Sequence, residues 1–176
     1  MLTAFIKQRR IVAVEISRDL TAKSKNLNRI IFILSLAGIA MAVYVLQSFL
    51  RESPIVCLNQ GCELVRKNPA SKIFGVPVPA VGLVGYTILA VLAFLRTASA
   101  DRRLLYGILG IATFGVLFVS WFTYTELFVI RAVCTWCAVS AVNMAVIFTL
   151  AVMSYRIIDS NKQQVRSTKS EARNNI

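Results

Sequence analysis

Four apolar runs, each long enough for a full membrane crossing, leave this chain few folds to choose from. They cover about Arg29 to Leu50, Val76 to Leu95, Leu104 to Thr125 and Phe128 to Tyr155, the last interrupted near its start by Arg131. A helix needs roughly 20 residues to cross a hydrocarbon layer about 30 Å thick, and each run meets that length. The chain is 57% hydrophobic with a mean hydropathy of +0.67. Soluble domains are roughly 45–50% apolar, so the excess belongs in lipid. The expected fold is all-α, an integral membrane four-helix bundle with an extracytoplasmic loop between helices one and two. It forms one unit over 29–155, flanked by a cytoplasmic segment 1–28 and a disordered cytoplasmic tail 156–176.

Charge placement orients the bundle. The net charge is +12, carried by twenty Lys and Arg against eight acids. Fifteen of the twenty precede the first run, lie between the second and third, or follow the fourth; only Arg51, Arg66, Lys67, Lys72 and Arg131 lie in the other two connections. The positive-inside rule therefore puts both termini in the cytoplasm and the first and third connections outside, in the cell (inner) membrane. A nucleic-acid interface would gather the charge on one soluble face, and this arrangement does not. The basic leader is nearly thirty residues long and the apolar core after it exceeds the 7–15 residues usual in a signal peptide. No A-x-A-like site follows, so the first run is expected to stay as an anchor. Within 1–28, Phe5, Ile6, Ile11, Val12, Val14 and Ile16 would suit a loose amphipathic helix on the membrane surface, but a solvated, partly ordered tail is the preferred reading.

Along the spans, Ala37, Gly38, Ala40 and Ala42 are small residues suited to close helix packing, and Pro79 suits the first turn of the second span. Gly82 and Gly85, beside Tyr86, would admit a neighbouring helix or a flat ligand; packing is the commoner use. Trp121 and Tyr124 fall in the outer aromatic belt. The second outer connection is a few residues around Glu126. No acidic residue falls inside an expected span, so no transmembrane proton path is foreseen.

All four cysteines lie on the outer, oxidising side. Cys134-Thr135-Trp136-Cys137 opens the uncharged run 132–155, where a helix N-terminus favours a thiolate. Cys57 and Cys62 lie in the first outer connection, separated by Leu58, Asn59, Gln60 and Gly61, whose last three members have turn chemistry. Zinc is a poor fit, because the chain has no His and the loop spacing is C-x₄-C. Structural staples fit less well than redox pairs, since a C-x-x-C closes a loop too small to gain much entropy. Which cysteine pairs with which stays open among three arrangements. A substrate dithiol could pass electrons to the loop pair and then to the helix pair. They must then leave. With no His for haem, no G-x-G-x-x-G and no P-loop, a lipid-soluble two-electron acceptor such as a quinone is the economical sink.

Four spans, a loop cysteine pair before span two, the Ile73-Phe74-Gly75-Val76-Pro77 passage into that span and C-x-x-C opening span four together resemble the vitamin K epoxide reductase family, in its bacterial form. The resemblance covers about Ile30 to Tyr155. It implies a four-helix bundle around a quinone, ubiquinone or menaquinone, as electron acceptor. By position, Cys57 and Cys62 would exchange with a periplasmic thioredoxin-fold dithiol protein, Cys62 would exchange with Cys134, and Cys137 would face the quinone. Phe74 would line the ring, with Asn68 beside it. Asn68 stands where family members commonly carry Ser or Thr. Ala141 stands where the vertebrate enzymes have Tyr, which weakens an epoxide reductase reading. Bacterial relatives often carry a fused thioredoxin-like domain, and its absence here leads to the expectation of a separate partner protein. Two other readings remain: a DsbB-type quinone reductase, in which the two kinds of cysteine pair occur in the reverse order, and a non-enzymatic membrane-bundle subunit with structural disulfides.

Overall fold

The computed structural model describes residues 2–51, 55–57, 61–73, 75–99 and 101–174. Its elements in chain order are α1 (Leu2–Arg51), a short α2 (Gly61–Lys67), a 3-10 turn (Pro69–Ser71), strands β1 (Lys72–Ile73) and β2 (Val76–Pro77), then α3 (Val78–Ala98), α4 (Arg102–Tyr124) with a π-helical extension (Thr125–Ile130), and α5 (Thr135–Asn174). Helices α1, α3, α4 and α5 contain the four segments long and apolar enough to cross a membrane among the described residues: Arg18–Arg51, Val78–Ala98, Arg102–Ile130 and Thr135–Gln163. Helix α1 packs against α3 and α5, and α4 closes the ring by packing against the same two. The expected all-α four-helix bundle is the observed one.

Residues 2–28 continue α1 and 156–174 continue α5, so the C-terminal stretch expected to be a disordered tail is helical. The chain has no Gly or Pro before Gly38 or after Gly115, so nothing in these stretches breaks a helix already nucleated by a packed span.

The connection between α1 and α3 is compact. Strands β1 and β2 pair antiparallel, Lys72 with Pro77 and Ile73 with Val76, around a turn in which Gly75 takes φ 84. That left-handed conformation is cheap only without a Cβ. Pro79 sits in the first turn of α3, where its missing N–H is no loss. Ser71 is buried and donates to the carbonyl of Val65, tying the 3-10 turn to α2.

One buried cluster fills the middle and inner part of the bundle, with Ile31, Tyr86, Leu89, Ile108 and Ile147 at its centre. Small residues set the helix spacing. A Cβ on Gly38 would collide with the Tyr86 ring, and one on Gly115 would come within 2.6 Å of the Met144 sulfur. Toward the end of α3, Arg96 is buried in its last turn rather than free in the turn after it. It donates to Ser24 Oγ at 2.8 Å and Asn28 Oδ1 at 3.3 Å, while Asn28 Nδ2 donates to the Ala93 carbonyl at 2.8 Å. These bonds lock α1 to α3 at one end. A second cluster, with Val45, Ile55, Cys62, Val65, Phe122 and Cys134, lies at the other end.

Candidate functional site

That second cluster holds the sulfur chemistry. Cys57 and Cys62 form a disulfide with their Cα atoms 6.4 Å apart, and Cys134 and Cys137 are free thiols. Cys62 is buried at the start of α2, and its sulfur lies 3.3 Å from that of Cys134. The approach depends on Gly61. A Cβ there would overlap the carbonyl oxygen of Val133, the residue before Cys134, so only glycine lets α2 settle onto this backbone. Residues 58–60, including the Asn59 and Gln60 expected to form the turn, lie outside the described residues.

Cys134 precedes the first residue of α5, and its carbonyl accepts the N–H of Ala138 at 3.0 Å, which makes it the N-cap. Cys137 is three residues on, in the first turn. The hydrogen bond with the Cys137 thiol, joined by the N–H groups of Cys137 and Trp136, holds the Cys134 thiol below its ordinary proton affinity. Placing Cys134 at the cap, not inside the run 132–155, is what gives its sulfur those donors.

Two aromatic residues strap the loop cysteines to the helix cysteines. The Trp136 indole Nε1 donates to the Val56 carbonyl at 2.9 Å, and the Tyr44 ring lies 5.1 Å from the Trp136 ring. The Val56 N–H in turn donates to Tyr44 Oη at 3.3 Å. Neither aromatic was singled out from the sequence, although Trp136 is an interior residue of the C-x-x-C.

Glu126 corrects the expectation that no acid lies inside a span. Helix α4 does not end at Thr125; it continues as a π-helical turn over Thr125–Ile130. The wider turn keeps Thr125 and Glu126 on the inner side, and Glu126 is only 1% exposed. Arg131 closes the turn in the left-handed region at φ 56, with its N–H and that of Ala132 both donating to the Glu126 carbonyl. A carboxylate oxygen of Glu126 and the sulfurs of Cys134 and Cys137 all lie within 4.8 Å of one another. The signal available in the sequence was the absence of Gly or Pro between Gly115 and Cys134, which allows α4 to run on past Thr125.

Three cysteine sulfurs also cluster within 4.8 Å: Cys57, Cys62 and Cys134. With Cys57 and Cys62 joined as a disulfide, that group has one thiolate to offer a metal instead of three. The chemistry of these donors is exchange between sulfurs.

Beside the sulfurs is a cavity of about 120 Å³ with walls from α1, α3, α4 and α5. Val45, Gly82, Gly85, Phe118, Cys134 and Cys137 are among its lining residues. A Cβ on Gly82 or Gly85 would meet nothing within 4 Å, so these glycines face open space and do not serve helix packing. Tyr86 also lines the cavity, held by its hydroxyl to the Ser140 carbonyl and Oγ, both at 3.0 Å. Phe114 lines it too while 63% exposed, so the cavity reaches the bundle surface. Asn68 is elsewhere: its Oδ1 accepts the Ala70 N–H at 2.9 Å as the cap of the 3-10 turn, and it is not among the lining residues. Phe74 lies outside the described residues.

A family model described as "Vitamin K epoxide reductase family" matches residues 29–152. The chain belongs to the vitamin K epoxide reductase family. The matched stretch covers the four-helix bundle and all four cysteines, from the start of the first apolar run almost to the end of the last. Membership in the vitamin K epoxide reductase family, with four apolar helices and a disulfide, makes the chain a multi-pass membrane thiol oxidoreductase.

Proposed function

We propose that the protein reoxidises a periplasmic thioredoxin-fold dithiol protein and delivers the electrons to a membrane quinone, ubiquinone or menaquinone. The observation that carries this reading is the 3.3 Å contact between the Cys62 and Cys134 sulfurs beside an apolar cavity. It supports a relay in which the partner's dithiol reduces Cys57–Cys62, and the loop pair then reduces the helix pair through a Cys62–Cys134 bond. Each exchange breaks one S–S bond and makes another, so two electrons move inward per cycle without a metal. Cys137, which lines the cavity, is the sulfur from which they leave. A quinone would accept those two electrons and two protons. The residues fit such a group: an apolar cavity reaching the surface, with a flat floor at Gly82 and Gly85 and no Cβ to fill it.

In this reading both termini are cytoplasmic and the four cysteines face the periplasm, as the placement of fifteen of the twenty basic residues supports. Asn68 belongs to the turn before β1 and not to the quinone wall.

The test is the purified, detergent-solubilised protein mixed with a reduced thioredoxin-fold donor and a short-chain quinone. Quinone absorbance should fall only when all four cysteines are present. Reduction that survives in Cys57→Ser or in Cys134→Ser would refute the relay. No reduction by the intact protein with either quinone would refute the acceptor.

A further inference from the structure

The relay leaves one buried group unused. Glu126 is 1% exposed, yet its Oε1 has no hydrogen-bond partner among the described residues. No ion pair involves it among the described residues either, and its near neighbour Arg131 is exposed. A carboxyl without a cation in such a place is costly, and glutamine would fill the same volume without that cost. What glutamine cannot do is take a proton. The donor of that proton is fixed by geometry: the Cys137 thiol donates to Glu126, which also accepts the backbone N–H of Cys134, and a carboxylate oxygen lies within 4.8 Å of both sulfurs.

We propose that Glu126 is the catalytic base of the helix pair, taking the proton from the Cys137 thiol as that sulfur becomes the electron donor. This assignment rests on the dithiol relay above for its place in the cycle. The balance is simple. Cys137 S–H gives its proton to the Glu126 carboxylate, and the resulting thiolate can release its electron pair. The S–S bond between Cys134 and Cys137 forms as the Cys134 proton is lost, and a quinone in the cavity would take up the two electrons. The two protons, one held on Glu126 and one from Cys134, would go with them, which leaves Glu126 ionised for the next cycle. A general base must lie beside the proton it abstracts, and the Glu126 carboxylate is buried against the Cys137 sulfur.

The decisive experiment needs no quinone. In a background with Cys57, Cys62 and Cys134 all replaced by Ser, which leaves Cys137 the one thiol of the chain, Cys137 is alkylated with iodoacetamide at fixed pH and the rate is read by peptide mass. Adding Glu126→Gln should slow alkylation of Cys137 by about tenfold or more, while Glu126→Asp keeps the rate within about threefold. A second measurement controls for misfolding: in a Cys137→Ser background, Glu126→Gln should leave the yield of trapped Cys62–Cys134 disulfide unchanged, because glutamine still accepts the Cys134 N–H. Unchanged alkylation in Glu126→Gln overturns the proposal. So does loss of the trapped disulfide, which would make Glu126 a structural brace. Failure of the quinone reading would show separately, as an intact protein that reduces no quinone while Glu126→Gln still slows alkylation.

Discussion

The Trp136 indole donates to the carbonyl of Val56 at 2.9 Å, so the residue before Cys137 holds the residue before Cys57. One cysteine pair thereby positions the other across 80 positions of sequence. This bond is independent of the sulfur contact and bears the same load, which is to keep the loop over the helix terminus.

Trp136→Phe keeps a ring against Tyr44 and removes the donor. Losing a hydrogen bond of this kind costs about 1 kcal/mol, and the effect should fall on the docked loop. The expected result is a roughly three- to tenfold slower appearance of the Cys62–Cys134 disulfide in a Cys137→Ser background, read by quenched-flow alkylation. An unchanged rate would mean that the sulfur contact alone holds the loop.

Gly61→Ala is the sharper change. Its Cβ would meet the backbone of Val133, which is not a flexible side-chain tip that can swing away. Helix α2 must shift, carrying Cys62 from Cys134. Exchange between the pairs should drop at least about tenfold, since a displacement near 1 Å is enough for such a loss. The direct oxidation of Cys134 and Cys137 by quinone, measured after reduction of the helix pair with a small dithiol, should stay within about twofold.

Gly85→Leu tests the cavity. A Cβ at this position meets nothing within 4 Å, and a helix gains up to about 1 kcal/mol when an interior glycine is replaced by leucine. Thermal stability should therefore hold or rise. The quinone KM should rise about tenfold, equal to about 1.4 kcal/mol, because the leucine occupies the open face that the ring needs. A KM unchanged from wild type would move the quinone to another wall of the bundle.

Asn68→Ala should separate turn from site. Removing a capping side chain costs about 1 kcal/mol, so the melting temperature should fall by a few degrees. Quinone turnover with the helix pair already reduced should not change. A fall in that turnover with unchanged melting would return Asn68 to the quinone wall.

What the sequence determined by itself was everything governed by long, uniform signals. Four apolar runs demanded four crossing helices, because lipid tolerates no other use of uncharged stretches near 20 residues. Cys57, Cys62, Cys134 and Cys137 announced a thiol site by type and spacing, and Pro79 marked the start of α3 through its missing N–H. The tertiary structure alone decided what depends on distance between remote segments. Gly61 reads as a turn residue until Val133 is seen pressed against it; Gly82 and Gly85 read as packing residues until nothing is found opposite them. Asn68 looked like part of the site and is a cap, because its side chain is used two residues away. Glu126 looked like a loop residue, and a single π turn carries it inward beside two thiols. Hydropathy reports whether a residue can be buried in lipid. Which residues meet is set by helix phase and by the few small side chains that let backbones touch, and those become visible only when the helices are assembled.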